Sequence, residues 1–408
     1  MNSEAVDGQS KVRLLPMFAA LVFLLLGLVV GGLRLMLING VGISFPPLER
    51  FYVLHSEITV LGFLGLLIMF ERAVGVEVLP KDRRPATVKL MIPIFAAGLL
   101  LYLAGRFVQS DSVVLLGGML MAVGSLFFAY VVWWLFLRVD NLAMYFMLLG
   151  IAALTTASLV ATRIVTWDQY GFALLLLSYP MLFIIGERVD LTRFGSGHAG
   201  RRNFKTALAF ASTGLILLII DTVLLPSTLL LGGVAACYLV VISVTYRVES
   251  MSLRRISKIR YPINRYVTIH TTTAYYWITA GLALLLLRLV WTSNPFLYDA
   301  FIHSIGVGFV GTMILAHGPI ILPAIMKRPM ISKTLSLIPL LLLSLGNLIR
   351  VAGDLVKPFY FNIAAAIGYS GLLILIAVLA FFIMMIHAMR SNVSPSPSSS
   401  PSSAPQQN

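Results

Sequence analysis

Apolar runs of about twenty residues recur along almost the whole chain, and no other feature limits its fold so strongly. A helix needs about that length to cross ~30 Å of hydrocarbon at 1.5 Å per residue. Closed β-barrels also satisfy every backbone group in lipid, but their strands alternate polar and apolar residues, and these runs do not. Only 11% of the 408 residues are charged, less than half the roughly 25% of a soluble domain. The fold class is therefore all-α integral membrane, a twelve-transmembrane-helix bundle within residues 1–390. Spans are expected near 14–37, 50–71, 89–108, 113–137, 142–165 and 168–187, then 205–223, 226–246, 265–290, 297–325, 334–355 and 359–388.

The net charge of +14 does not indicate a nucleic-acid partner, because the basic residues sit in short loops between spans. Lys81, Arg83 and Arg84 follow span 2; Arg188, Arg193, Arg201, Arg202 and Lys205 lie between spans 6 and 7. Arg254, Arg255, Lys258 and Arg260 follow span 8, and Lys327 and Arg328 follow span 10. The positive-inside rule then places both termini in the cytoplasm and the protein in the cytoplasmic membrane. No small-residue cleavage site follows the first apolar run, so that span is expected to be retained. Cys237 is the single cysteine, which rules out an internal disulfide or a multi-thiolate metal site. Residues 391–408 form a Ser/Pro/Gln tract that cannot bury a core and is expected to be disordered.

Weak repetition runs through the spans. Span 2 ends Glu71-Arg72-Ala73-Val74 and span 6 ends Glu187-Arg188-Val189. Gly62-Phe63-Leu64-Gly65 in span 2 parallels Gly308-Phe309-Val310-Gly311 in span 10. Spacing by four spans suggests three four-helix units, although Gly-rich helices also resemble one another for no deeper reason.

Ionisable groups are expensive in hydrocarbon and mark candidate sites. Of six histidines, His198 and His387 fall in a loop and at a span end. His55 and His303 enter spans 2 and 10 at matching depths from the outer side, and His270 and His317 lie toward the inner side. His317 is fourteen residues past His303, about 21 Å along a helix, so the two cannot share one metal. An outer pair, His55 with His303, and an inner pair, His270 with His317, could each ligate haem iron or copper. The plainer reading is interhelical hydrogen bonding.

Arg34, Arg106, Arg163, Arg288 and Arg350 recur near the outer ends of spans 1, 3, 5, 9 and 11. They could hold haem propionates or another anion, or simply snorkel, with Arg350 paired to Asp354 one turn on. Asp299, four residues before His303, could fix that ring's tautomer or cap its helix. Glu57 could act beside His55 or as a proton relay.

The segment from His303 through Gly308, Gly311 and Met313 resembles the NnrS family of membrane haem proteins. His55 followed by Gly62-Phe63 is similar to the first histidine of that family's second span. The sequence departs from the pattern at Glu57, where the family shows a second histidine, and at His317-Gly318-Pro319, which lies nearer His303 than the family's Gly-His-Thr-Gly run. There is also a distant likeness to haem–copper oxidase subunit I, but spans 6 and 7 carry no histidine for its copper. The resemblance implies haem b, with copper as a lesser expectation, and a role in redox or nitric-oxide-related metabolism, served by a redox partner protein. No residue set identifies catalysis. Two other classes fit the sequence: a cofactor-free, proton-coupled carrier of a small anion using Glu57, Asp221 and the arginines, and a non-catalytic subunit docking through its basic face.

Overall fold

The structure, a computed structural model, describes residues 3–41, 54–77, 79–80, 84–139, 141–162, 169–256, 262–326, 328, 331 and 334–391. Every regular element among them is helical. In chain order these are α1 (Ser3–Ile38), α2 (His55–Glu77), α3 (Val88–Val108), α4 (Asp111–Val139) and α5 (Leu142–Val160). Asn141 caps α5, its Oδ1 accepting the Ala143 N–H at 3.1 Å.

Next comes an unbroken helical run of 55 residues, Gln169–Val223. If straight, its ends would be about 80 Å apart. They are neighbours instead: a Cβ added to Gly171 would fall 2.6 Å from Thr222 Oγ1. The run therefore doubles back between 191 and 202, giving two antiparallel arms, α6 (Gln169–Leu191) and α7 (Arg202–Val223). The reversal falls in the basic stretch that the sequence assigns to a loop. Then follow α8 (Thr228–Ile256), α9 (Pro262–Leu287), α10 (Leu297–Ile325), α11 (Ile338–Val356) and α12 (Ala364–Ser391).

Among the described residues, eleven helices are long and apolar enough to cross a membrane. The helix outside that set is α9, whose threonines, tyrosines, Arg265 and His270 dilute its apolar character. Large apolar side chains cover the outer surface, among them Val22, Leu100, Leu126, Ile216, Leu341 and Ile383. Such a surface is stable against hydrocarbon and not against water.

Burial separates central from peripheral helices. In α6, 94% of the apolar window is buried, against 22% in α1. A helix that is apolar all round belongs in the interior, and α6 packs against both α2 and α10. Each of these two contains an eight-residue π-helical stretch, Ile58–Gly65 in α2 and Ser304–Gly311 in α10. These are the Gly-Phe-x-Gly segments that repeat in the sequence. Both sit against an aromatic ring of the preceding helix. A Cβ on Gly62 would lie 2.8 Å from the Phe23 ring of α1, and one on Gly308 would lie 2.6 Å from the Trp277 ring of α9. The repeat is thus structural as well as compositional, with the same backbone anomaly held by the same kind of contact.

Candidate functional site

His55 opens α2 and His303 ends the α-helical turn before the π stretch of α10, so both imidazoles precede a widened segment. π-helical insertions cluster at functional sites because they re-aim the residues beside them. Here both rings line one cavity of about 280 Å³ enclosed by α1, α2, α6, α10, α11 and α12. His55 and His303 are within electrostatic reach of each other, and of Arg350 and Arg34.

Both rings are oriented through the same nitrogen. His55 Nδ1 lies 2.8 Å from the Gly27 carbonyl of α1, and His303 Nδ1 lies 2.8 Å from the Asp299 carbonyl. A carbonyl only accepts, so each Nδ1 carries the proton and each Nε2 presents a lone pair. Neither Nε2 has a hydrogen-bond partner among the described residues. Room for His55 depends on Gly31 in α1: a Cβ there would lie 2.5 Å from His55 Nδ1.

The carboxylates predicted to lie near these rings are held by arginines from the next odd-numbered helix. Arg350 of α11 binds Asp299 bidentately, Nε to Oδ2 at 2.7 Å and Nη2 to Oδ1 at 2.9 Å. Arg106 of α3 pairs with Glu57 at 3.6 Å and donates to the Tyr102 hydroxyl at 3.0 Å. Helices α2 and α10 therefore repeat a histidine, a nearby carboxylate and an arginine from the following helix. Asp299 is not the helix cap: the N-cap position is Phe296, no side chain caps the helix, and Asp299 lies inside the first turn. Its carbonyl orients His303, while its Oδ1 lies 3.3 Å from the ring and is shared with Arg350. The local Arg350–Asp354 pair is replaced by this cross-helix one.

The other arginines divide. Arg34 is exposed near the histidine pair, whereas Arg288 stacks over the Tyr170 ring at 3.2 Å. Arg163 lies outside the described residues.

His270 and His317 have no hydrogen bond or electrostatic contact with each other among the described residues. His317 lines the cavity, but its Nε2 is 2.9 Å from Arg188 Nη1. His270 is fully buried against the Tyr266 ring, outside the cavity lining, and its Nε2 has no partner among the described residues. In place of an inner metal pair stands an ionic network that single-span reading misses. Arg188 pairs with Glu249, which accepts from the Tyr275 hydroxyl at 2.6 Å, and Arg72 pairs with Glu187. The repeated Glu-Arg dipeptides of α2 and α6 meet here, and that repetition was the available signal. Asp221, a candidate proton carrier, accepts the Ser227 N–H at 2.8 Å in the turn before α8.

Among the described residues no group of three or more His, Cys, Asp or Glu is arranged to hold a metal ion. Two imidazoles fall short of the three or four protein ligands that zinc takes. They suffice for iron in a porphyrin, which brings its own four nitrogens. The cavity walls are apolar apart from the three histidines, Glu71, Glu187 and a few hydroxyls. Its volume lies near the lower bound of the about 300–1,000 Å³ typical of ligand pockets. In number and type, two imidazoles match what a haem iron takes from a protein and not the ligand set of a bare zinc ion. No curated protein matches the sequence. Residues 13–390 match the family model described as a domain of unknown function (DUF8744), and the chain belongs to that family.

Proposed function

We propose that this is a multi-pass protein of the cytoplasmic membrane that holds haem between His55 and His303 and serves electron transfer. In this reading α9 is the twelfth span, and the basic loops keep both termini cytoplasmic. The observation that carries the haem reading is the pair of imidazoles on one apolar cavity, with both Nδ1 atoms tied down and both Nε2 atoms unpartnered. Ligating histidines are oriented in this way by their second nitrogen.

When bound, haem supplies a one-electron ferric–ferrous couple. The chain's own part is positional. The Gly27 and Asp299 carbonyls fix the ring tautomers, and Gly31 leaves space for His55. Arg34 and Arg350 put positive charge beside the pair, where anionic propionates would be stabilised. A single cysteine cannot provide the paired thioethers of c-type attachment, which favours a non-covalent b-type group. If His55 and His303 both held the iron, no open site would be left for a diatomic gas, which would favour electron transfer over gas chemistry. Copper gains no support from a two-nitrogen set.

The test is a reduced-minus-oxidised visible spectrum of purified protein expressed with ample haem supply. A sharp α-band is expected, lost in His55→Ala and in His303→Ala and kept in His270→Ala. A colourless wild-type protein, or a band indifferent to both outer histidines, would refute the proposal.

A further inference from the structure

The cavity extends well past the histidine pair. Along α2 its lining runs from His55 to Glu71, sixteen residues, or about 24 Å of helix. Between these ends the walls are Leu, Ile, Val, Phe and Met side chains from α1, α2, α6, α10 and α12. No lysine or arginine lines it among the described residues. At its inner end stand two carboxylates, Glu71 and Glu187, and His317.

Among the described residues at that end the charges do not balance. Arg72 is taken by Glu187, and Arg188 by Glu249 and His317. Glu71 makes no hydrogen bond or ion pair among the described residues, yet faces the cavity. Among the described residues Glu187 and Glu249 thus hold the two guanidiniums, while Glu71, within electrostatic reach of Arg72 but not paired with it, points into apolar space. A carboxylate at this depth is costly unless it takes up a proton or a positive partner arrives.

We propose that the inner end of the cavity binds an apolar organic cation, with Glu71 as its counter-ion and the aliphatic walls taking its body. The sign of this site is opposite to that needed by an anion carrier, whose arginines lie elsewhere. The proposal is independent of the haem reading, which concerns the other end of the cavity.

Tetraphenylphosphonium and tetraphenylborate test it, since they match in size and shape and differ in charge. Binding of each to the full-length protein in neutral-lipid nanodiscs is measured by equilibrium dialysis, with protein-free nanodiscs subtracted. The phosphonium is expected to bind at least tenfold more tightly than the borate. Glu71→Gln should weaken phosphonium binding at least tenfold, with an unchanged elution profile and an unchanged visible spectrum. Leu67→Trp, which fills the cavity one turn before Glu71, should abolish binding and keeps the test decisive if the glutamine variant does not fold. Equal affinity for the two ions, no phosphonium binding, or binding unaffected by either folded variant would overturn the proposal. A loss of the spectrum's α-band in the histidine variants alone bears only on the haem site.

Discussion

Removing the carboxylate of Asp299 should expose how strongly the outer arginines are fixed. Arg350 is 8% exposed and gives two hydrogen bonds to Asp299, at 2.7 and 2.9 Å. Breaking a buried pair by deleting one partner costs about 3–5 kcal/mol, because the survivor keeps its desolvation penalty. The Asp299 side chain is 27% exposed, so water reaches part of the gap and the low end, about 3 kcal/mol, applies to Asp299→Ala. Arg350→Met should cost less, about 2 kcal/mol, because the partly exposed carboxylate it leaves behind is easier to solvate. In Asp299→Ala/Arg350→Met neither charge is stranded, so the total should stay near 2–3 kcal/mol instead of summing to about 5. The coupling is then about 2 kcal/mol, a factor of roughly thirty in the unfolding equilibrium. Unfolding free energies from detergent titration in mixed micelles measure all four corners. Additivity within about 0.5 kcal/mol would show that the bidentate pair contributes nothing and that Arg350 is held by packing alone.

Gly31→Ala places a methyl group 2.5 Å from His55 Nδ1, so the ring must leave the Gly27 carbonyl; a loss of about 2 kcal/mol in stability and a weakened or shifted haem band are expected, and an unchanged spectrum would contradict the assigned position of His55. Arg188→Ala strands Glu249 in the interior and should cost about 3–5 kcal/mol, whereas His317→Ala leaves the Arg188–Glu249 pair intact and should cost only about 1–2 kcal/mol; equal losses in melting experiments would mean that Arg188 does not organise the network.

The helices are legible in the sequence, because spanning length and the demand that backbone groups be satisfied locally are properties of consecutive residues. The expected spans overlap the observed helices throughout, including the reversal between α6 and α7 at a basic stretch. The sequence also picked out His55, His303 and the Gly-Phe-x-Gly repeat, since an imidazole among apolar residues is conspicuous wherever the helix lies. The C-terminal tract beyond Ser391 and Arg163 lie outside the described residues.

Which helix faces which is fixed by the packing of the whole bundle. Depth along a span can be counted, but rotation about the axis and lateral neighbours are set by packing among all the helices. Arg350 therefore reaches Asp299 on α10 and not Asp354 one turn away. For the same reason His317, expected from the sequence to pair with His270, meets Arg188. The π stretches add a further shift in facing that α-helical periodicity does not predict, and they lie beside the two rings that line the cavity. Polar partners in an apolar bundle are chosen by azimuth, and azimuth is a property of the assembled bundle.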